Sequence, residues 1–453
     1  MASQVVEYSL LRLKYCVDEI NRLKQDDFAY DYPRMALIIL EKNFNSSRRA
    51  LEKISVEGES ALTVCCAALD LLQTYLPIMG FIIRSTKVRI AFEFYFPLLE
   101  LTKRIFDEDL REDRKSIDAN HVKLIVASEW EYSPYNYLLG DELLKSFVCI
   151  GLSATESSNP LIIPIAGHEI GHTLWLKLQD ENSKLVDLIK PNKYNDLIDD
   201  QIRREIEKSW DDFCRHFPGY KKEDLFSSLY LPKLWEDAQS WALRQVEEVF
   251  CDFIGIRIFA ESYLHAFTYL TTPGHPTGTR SSLYPDIRAR VKYLCQYAQK
   301  QNVALAPNLN SFFLDESESL DPSPETDHKP IFLLEIADKV VDTIVEEIMN
   351  DVNVILSKKS IPVRNQEKVD SICNTFESLN SPILGPEEMV DIINAGWQCF
   401  IKNKLFETPK LSTKLEEDRK NEKARFEKLN ELNDMILKSL EIIEISRLWE
   451  LPE

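Results

Sequence analysis

Glycine is scarce, with 12 residues in a chain of 453. All-β folds need many more turn glycines, so the shortage argues against them and toward helix. Paired CxxC spacings are missing as well: nine cysteines are scattered from Cys16 to Cys399. That scatter speaks against a cysteine zinc knuckle or a disulfide framework and for reduced, buried thiols in a reducing compartment. Positive charge is in deficit, 54 basic against 74 acidic side chains for a net −20. Such a surface repels phosphate backbones and anionic lipid, so no nucleic-acid partner is expected. No apolar run of spanning length is uninterrupted. The longest, "ALTVCCAALDLLQTYLPIMGFII" from Ala61 to Ile83, is broken by Asp70, Gln73, Pro77 and Gly80 and reads as a buried core helix. The N-terminus has neither the basic region nor the continuous apolar core of a signal peptide. These absences lead to the expectation of a soluble, cytoplasmic protein without membrane insertion.

The residues present, 44% hydrophobic and 28% charged, are those of a globular protein. The expected fold class is mainly α, of α+β type, with a small sheet. Residues 1–118 read as an N-terminal helical domain, with Leu10, Leu13, Val17 and Ile20 at helical spacing; Pro97 marks a break or kink. Residues 119–300 change character. "HVKLIVASEWEYS" and "SFVCIGLSA" are β-branched and aromatic-rich like strands, with the turn-like "SPYNYLLGD" between them. From Lys177 to about Leu270 the pattern is helical and charged, with "KPNKYND" and "RHFPGYKKED" as loops. "TTPGHPTGTRSSLYPD" then forms a long turn-rich loop. Residues 301–330 read as an acidic loop and linker, and 331–453 as a C-terminal helical domain. In its tail Phe426, Leu429, Leu432, Ile436, Leu440 and Ile443 form a stripe suited to packing within the chain.

Chemistry concentrates in "NPLIIPIAGHEIGHTLWLKL". His168, Glu169 and His172 form HExxH, and Pro160, Pro164 and the surrounding apolar residues favour a helix there. Residues four apart share one helix face, so both imidazoles can reach one ion, while Glu169, turned by about 100°, can reach a water on that ion. Gly171 allows another element to come close behind the second ligand. With seven histidines in the chain, HExxH arises by chance in roughly one chain in a hundred, so a buried histidine pair without function is the competing reading. A catalytic zinc ion needs a third protein ligand and one open position. "LRQVEEVFCDFIGIRIF" offers Glu248 and Asp252, again four apart, followed by Gly255. Glu247 is the rival third ligand, but one turn beyond it stands Cys251, a poorer hydrogen-bond acceptor than Asp252.

HExxH with a downstream ExxxDxxG resembles the gluzincin metallopeptidases, the thermolysin-like clan, over about Val122 to Leu294. The resemblance implies a zincin-like core in 119–300, with a helical insertion near 180–240 because the spacing between the two motifs is longer than in thermolysin. It implies one Zn2+ per chain held by His168, His172 and Glu248, with Asp252 orienting His168 and Glu169 as the general base. Zinc would lower the pKa of its water toward ~7, and Glu169 would take the proton and deliver it to the leaving amine. It further implies that "SFVCIGLSA" is an edge strand that pairs with an extended substrate. An oxyanion donor is sought among His275, Arg280, Tyr284, Arg288 and Arg290. The "HP" at His275 is similar to a segment of the integral-membrane prenyl-protein peptidases, which makes His275 the candidate.

The expected function is therefore a selective or regulated soluble zinc metallopeptidase acting on a peptide or protein substrate, with a regulatory protein partner accommodated by the helical regions. The competing functions are a zinc-binding interaction or scaffold protein without turnover, and a hydrolase of a non-peptide amide.

Overall fold

The computed structural model describes residues 2–450 except 54–58, 86–91, 107–121, 130–134, 137–141, 145, 157, 181–184, 186–187, 191, 224–231, 272–283, 307–308, 310–327, 379–387 and 404–414. The chain is mostly helical with one small sheet. It divides into two compact units, Met1–Asn159 and Pro160–Glu453. The boundary expected near Asp118 and residues 310–327 of the expected 301–330 linker lie outside the described residues, whereas 328–330, expected in that linker, already belong to the helix His328–Ser357.

In the first unit α1 (Ala2–Leu23), α2 (Tyr32–Lys53) and α3 (Glu59–Ile83) pack on one another, and α4 (Phe92–Phe106) packs on the sheet. Leu13, Val17 and Ile20 of α1 are buried with Leu37, Leu40 and Phe44 of α2 and Leu72, Tyr75 and Phe81 of α3. Within α3, Thr63–Ile83 is long and apolar enough to cross a membrane by length and composition alone, with 39% of its most apolar window buried inside the fold. It packs on α1 and α2 through one face, with Cys66, Asp70, Leu76 and Ile83 exposed on the other. α4 continues through Pro97, where the sequence suggested a break or kink.

Strands β1 (Lys123–Glu129) and β3 (Phe147–Ser153) run parallel with Lys123 opposite Phe147 and Glu129 opposite Ser153. Both are buried along their whole length, which explains their near-continuous apolar sequences. β2 (Tyr135–Asn136) lies inside the stretch expected to be only a turn and pairs antiparallel with Ile150 and Gly151. The order is β1-β3-β2, so "SFVCIGLSA" is the central strand of this sheet and not the edge strand the resemblance implied. β1 has tyrosine hydroxyls on its backbone instead of another strand: Tyr30 Oη accepts from Val126 N at 2.7 Å, and Tyr95 Oη donates to Leu124 O at 2.8 Å.

The second unit is helical: α5 (Ile165–Leu178), α6 (Lys193–Lys208), α7 (Trp210–His216), α8 (Pro232–Phe259), α9 (Glu261–Thr271), α10 (Ile287–Lys300), α11 (His328–Ser357), α12 (Gln366–Glu377), α13 (Met389–Lys402) and α14 (Leu415–Glu450). α6 begins inside the "KPNKYND" expected as a loop, after Asn192 takes a left-handed φ of 59°. α5 and α11 are the chief packing partners of α8. α5 is buried almost all round, the pattern of a helix surrounded by others. On α14, Leu432, Ile436 and Leu440 are buried, with α13 the helix it packs on, whereas Phe426 of the expected stripe is exposed.

Candidate metal centre

Two helices place the chemistry. α5 carries His168, Glu169 and His172, and α8 carries Glu247, Glu248, Cys251 and Asp252. They cross where Gly171 meets Cys251. A Cβ at Gly171 would stand 2.7 Å from Cys251 Cα, so this close approach requires glycine. Gly255 has a similar duty against the ring of Tyr263. The close crossing sets the four carboxyl groups of Glu169, Glu247, Glu248 and Asp252 around two imidazoles.

The ring nitrogens divide the work. His168 Nδ1 lies 3.0 Å from Asp252 Oδ1, and His172 Nδ1 lies 2.8 Å from Glu247 Oε1. Their other nitrogens both turn to Glu248: His168 Nε2 is 3.4 Å from Oε2 and His172 Nε2 is 3.7 Å from Oε1. The rings stand nearly perpendicular, 82° apart, with centroids 4.9 Å apart. A carboxylate at Nδ1 accepts a hydrogen bond from the ring N–H, and in that neutral tautomer Nε2 carries the lone pair. Glu247, weighed from sequence as a rival ligand, thus does for His172 what Asp252 does for His168.

Asp252 is the most heavily bonded group. It accepts from Arg290 Nε at 2.6 Å, Arg290 Nη2 at 2.8 Å and the Tyr263 hydroxyl at 2.5 Å. Burial works against its charge, but the Arg290 guanidinium and the His168 contact outweigh it and hold the carboxyl well below its usual range. Arg290 Nη2 also lies 3.3 Å from Glu248 Oε2. Burial opposes ionisation of Glu248 too, yet His168 and Arg290 hold its pKa down. Burial depresses the His168 imidazolium, while the Asp252 and Glu248 contacts override it and lift the pKa to about 10. Glu169 is buried and its pKa is raised, first by that burial.

Neutral imidazoles would leave these acidic groups facing the Arg290 guanidinium, an excess of buried negative charge among the described residues that needs compensation. Protonated His168 supplies some. A divalent cation among the Nε2 atoms and Glu248 would supply more, and the donor types suit one: two imidazole nitrogens and a carboxylate whose buried Oε2 makes only long contacts to His168 and Arg290. His168, His172 and Cys251 also form a buried group with donor atoms within 4.8 Å of one another, able to hold a metal ion. Cys251 is poorly suited to be the third ligand. Burial first, and then the surrounding carboxylates, push its thiol well above its ordinary value, so as a ligand it would have to lose its proton to the incoming ion.

The six positions singled out from sequence divide as follows. His168, Glu169, His172, Glu248 and Asp252 come together; His275 lies outside the described residues, as does Arg280. Arg290 is engaged by Asp252. Tyr284, its phenol pKa raised by burial and then by Glu248, is the described aromatic donor of that segment within electrostatic reach of the site. Sequence reasoning missed Tyr263, which reaches Asp252 because Ala260 turns the chain with a left-handed φ of 53°. It also missed the pairing of Arg290 with Asp252, for which no local spacing gives a signal. Comparisons of the chain with protein-family models, with curated proteins and with solved structures found no match.

Proposed function

We propose that this chain is a zinc-dependent metallopeptidase of zincin-like architecture, a soluble cytoplasmic enzyme that hydrolyses peptide bonds in a selected substrate. The observation that carries the reading is the convergence of both Nε2 atoms on Glu248 while each Nδ1 is held by its own carboxylate. Metal-ligating histidines commonly donate the second ring N–H to a carboxylate, which fixes the tautomer, and this arrangement supports that role. His168, His172 and Glu248 would hold zinc, which supplies Lewis acidity, bringing a coordinated water toward a pKa of ~7 and polarising a carbonyl.

The chain's own groups do the rest. Asp252 and Glu247 fix the imidazole tautomers and orientations. Arg290 and Tyr263 keep Asp252 ionised and in place. Glu169, buried beside the ligands with a raised pKa, accepts the proton of the attacking water and delivers it to the leaving nitrogen, a task suited to a base poised nearer neutrality. One zinc per chain is expected by metal analysis, and Glu169→Gln is expected to keep the metal and lose hydrolysis. Metal-free protein that zinc does not restore, or full turnover in the Gln variant, refutes the reading. Comparing cleaved protein termini in cells carrying wild type and Glu169→Gln identifies the substrate; identical termini with intact zinc would favour a binding protein.

A further inference from the structure

Two other thiols meet away from the metal centre. Cys373 on α12 and Cys399 on α13 are both buried, and their Sγ atoms stand 2.7 Å apart. Non-bonded carbon atoms rest at about 3.5–4.0 Å, and the larger sulfur atoms do not rest closer. Two thiolates on one tetrahedral zinc, each at ~2.3 Å from the ion, would be separated by roughly 3.8 Å. The observed spacing is well inside both. Only an S–S bond, about 2.05 Å long, draws two sulfurs closer than contact. Glu377 has a carboxylate oxygen within 4.8 Å of these sulfurs, but Lys402 Nζ occupies that carboxylate at 2.8 Å.

We propose that Cys373 and Cys399 are a modification site, an intramolecular disulfide that fastens α12 to α13 when a peroxide is the oxidant. The Cys373 thiolate attacks one peroxide oxygen, the O–O bond breaks, and hydroxide leaves and takes up the thiol proton as water. Cys399 Sγ then attacks the resulting Cys373 sulfenic acid, the S–S bond forms, and the sulfenic oxygen departs with the Cys399 proton as a second water. Two thiols lose two electrons and two protons, and one hydrogen peroxide becomes two waters. Cys373 is the attacking partner. Cys399 Sγ donates to Cys373 O at 3.2 Å and so keeps its proton, and the contact with Cys399 lowers the pKa of the Cys373 thiol against burial and Glu377, with Lys402 adding to the lowering.

The bond would stiffen a helix that grips the ends of both metal-bearing helices. α13 holds the segment ahead of α5 through Trp397 Nε1, which donates to Leu161 O at 2.8 Å. It holds the end of α8 through Asn394, whose Nδ2 donates to Phe259 O at 2.9 Å and whose Oδ1 accepts from Ser262 N at 3.0 Å. The disulfide itself does not depend on the metal reading.

The test uses the full chain, reduced, freed of reductant, treated with hydrogen peroxide, alkylated in denaturant and digested without reduction. The expected result is one peptide pair joined through Cys373 and Cys399, with alkylatable thiols falling from nine to seven. The melting temperature rises by on the order of 5 °C and returns on reduction. Cys373→Ser and Cys399→Ser show neither the joined pair nor the shift. The proposal is overturned if both cysteines remain alkylatable after peroxide, if either joins a different cysteine, or if the two protect a second equivalent of zinc that Cys373→Ser removes.

Discussion

Gly171→Ala tests the helix crossing on which the centre depends. The added Cβ would lie 2.7 Å from Cys251 Cα, 3.0 Å from its Cβ and 3.1 Å from its Sγ. Ordinary contacts between carbons need about 3.5–4.0 Å, so α5 and α8 have to part by roughly 0.8 Å. The obstacle is backbone and cannot rotate away. Added to the 2.8 Å and 3.0 Å contacts of His172 and His168 with their carboxylates, that displacement takes both to about 3.6–3.8 Å, beyond hydrogen-bond range. Losing such supports costs about 10- to 100-fold in metal affinity. Stability changes less, because overpacking costs about 1–3 kcal/mol while alanine returns up to about 1 kcal/mol of helix propensity. Chelator competition for zinc, run beside denaturant unfolding, separates the two effects. A Gly171→Ala protein that binds zinc as tightly as wild type refutes the argument that this close crossing positions the ligands.

The third ligand can be decided by comparing two substitutions: Glu248→Ala is expected to weaken zinc binding by 100-fold or more, on the order of a lost ligand, and Cys251→Ser by less than about threefold. The reverse order would make Cys251 the ligand. A second histidine reports on stability. His265 stacks on Trp397 with centroids 5.3 Å apart, and burial lowers its pKa from 6.5 to about 4. The unfolded chain takes up a proton that the native ring refuses. Stability is therefore complete above pH 6.5 and falls as pH drops toward 4. The loss is about 2 kcal/mol once partial exposure of the ring is allowed for. Denaturant titrations across that window should show the slope in wild type and its loss in His265→Phe. An equal slope in both rejects this origin.

The helical character was legible in the sequence, because apolar spacing and glycine scarcity are local properties of the chain. HExxH and ExxxDxxG were legible for the same reason: one helical turn brings residues four apart onto one face, whatever the fold. The pairing of those two helices is not local. It depends on Gly171 and Cys251 meeting across 80 residues of chain, and only the tertiary structure made Glu247 the partner of His172 instead of a spare ligand. Likewise Arg290 looked like a donor for substrate until α10 brought it onto Asp252. The strand "SFVCIGLSA" read as an edge because a sequence shows a strand's residues and not its neighbours; β1 and β2 flank it in the folded sheet. Cys373 and Cys399 read as two scattered thiols, and packing of α12 on α13 set their sulfurs 2.7 Å apart. Sequence by itself determined which chemical groups each helix presents, through its 3.6-residue period. Tertiary packing decided which groups meet, because contact between distant segments follows from how their surfaces fit.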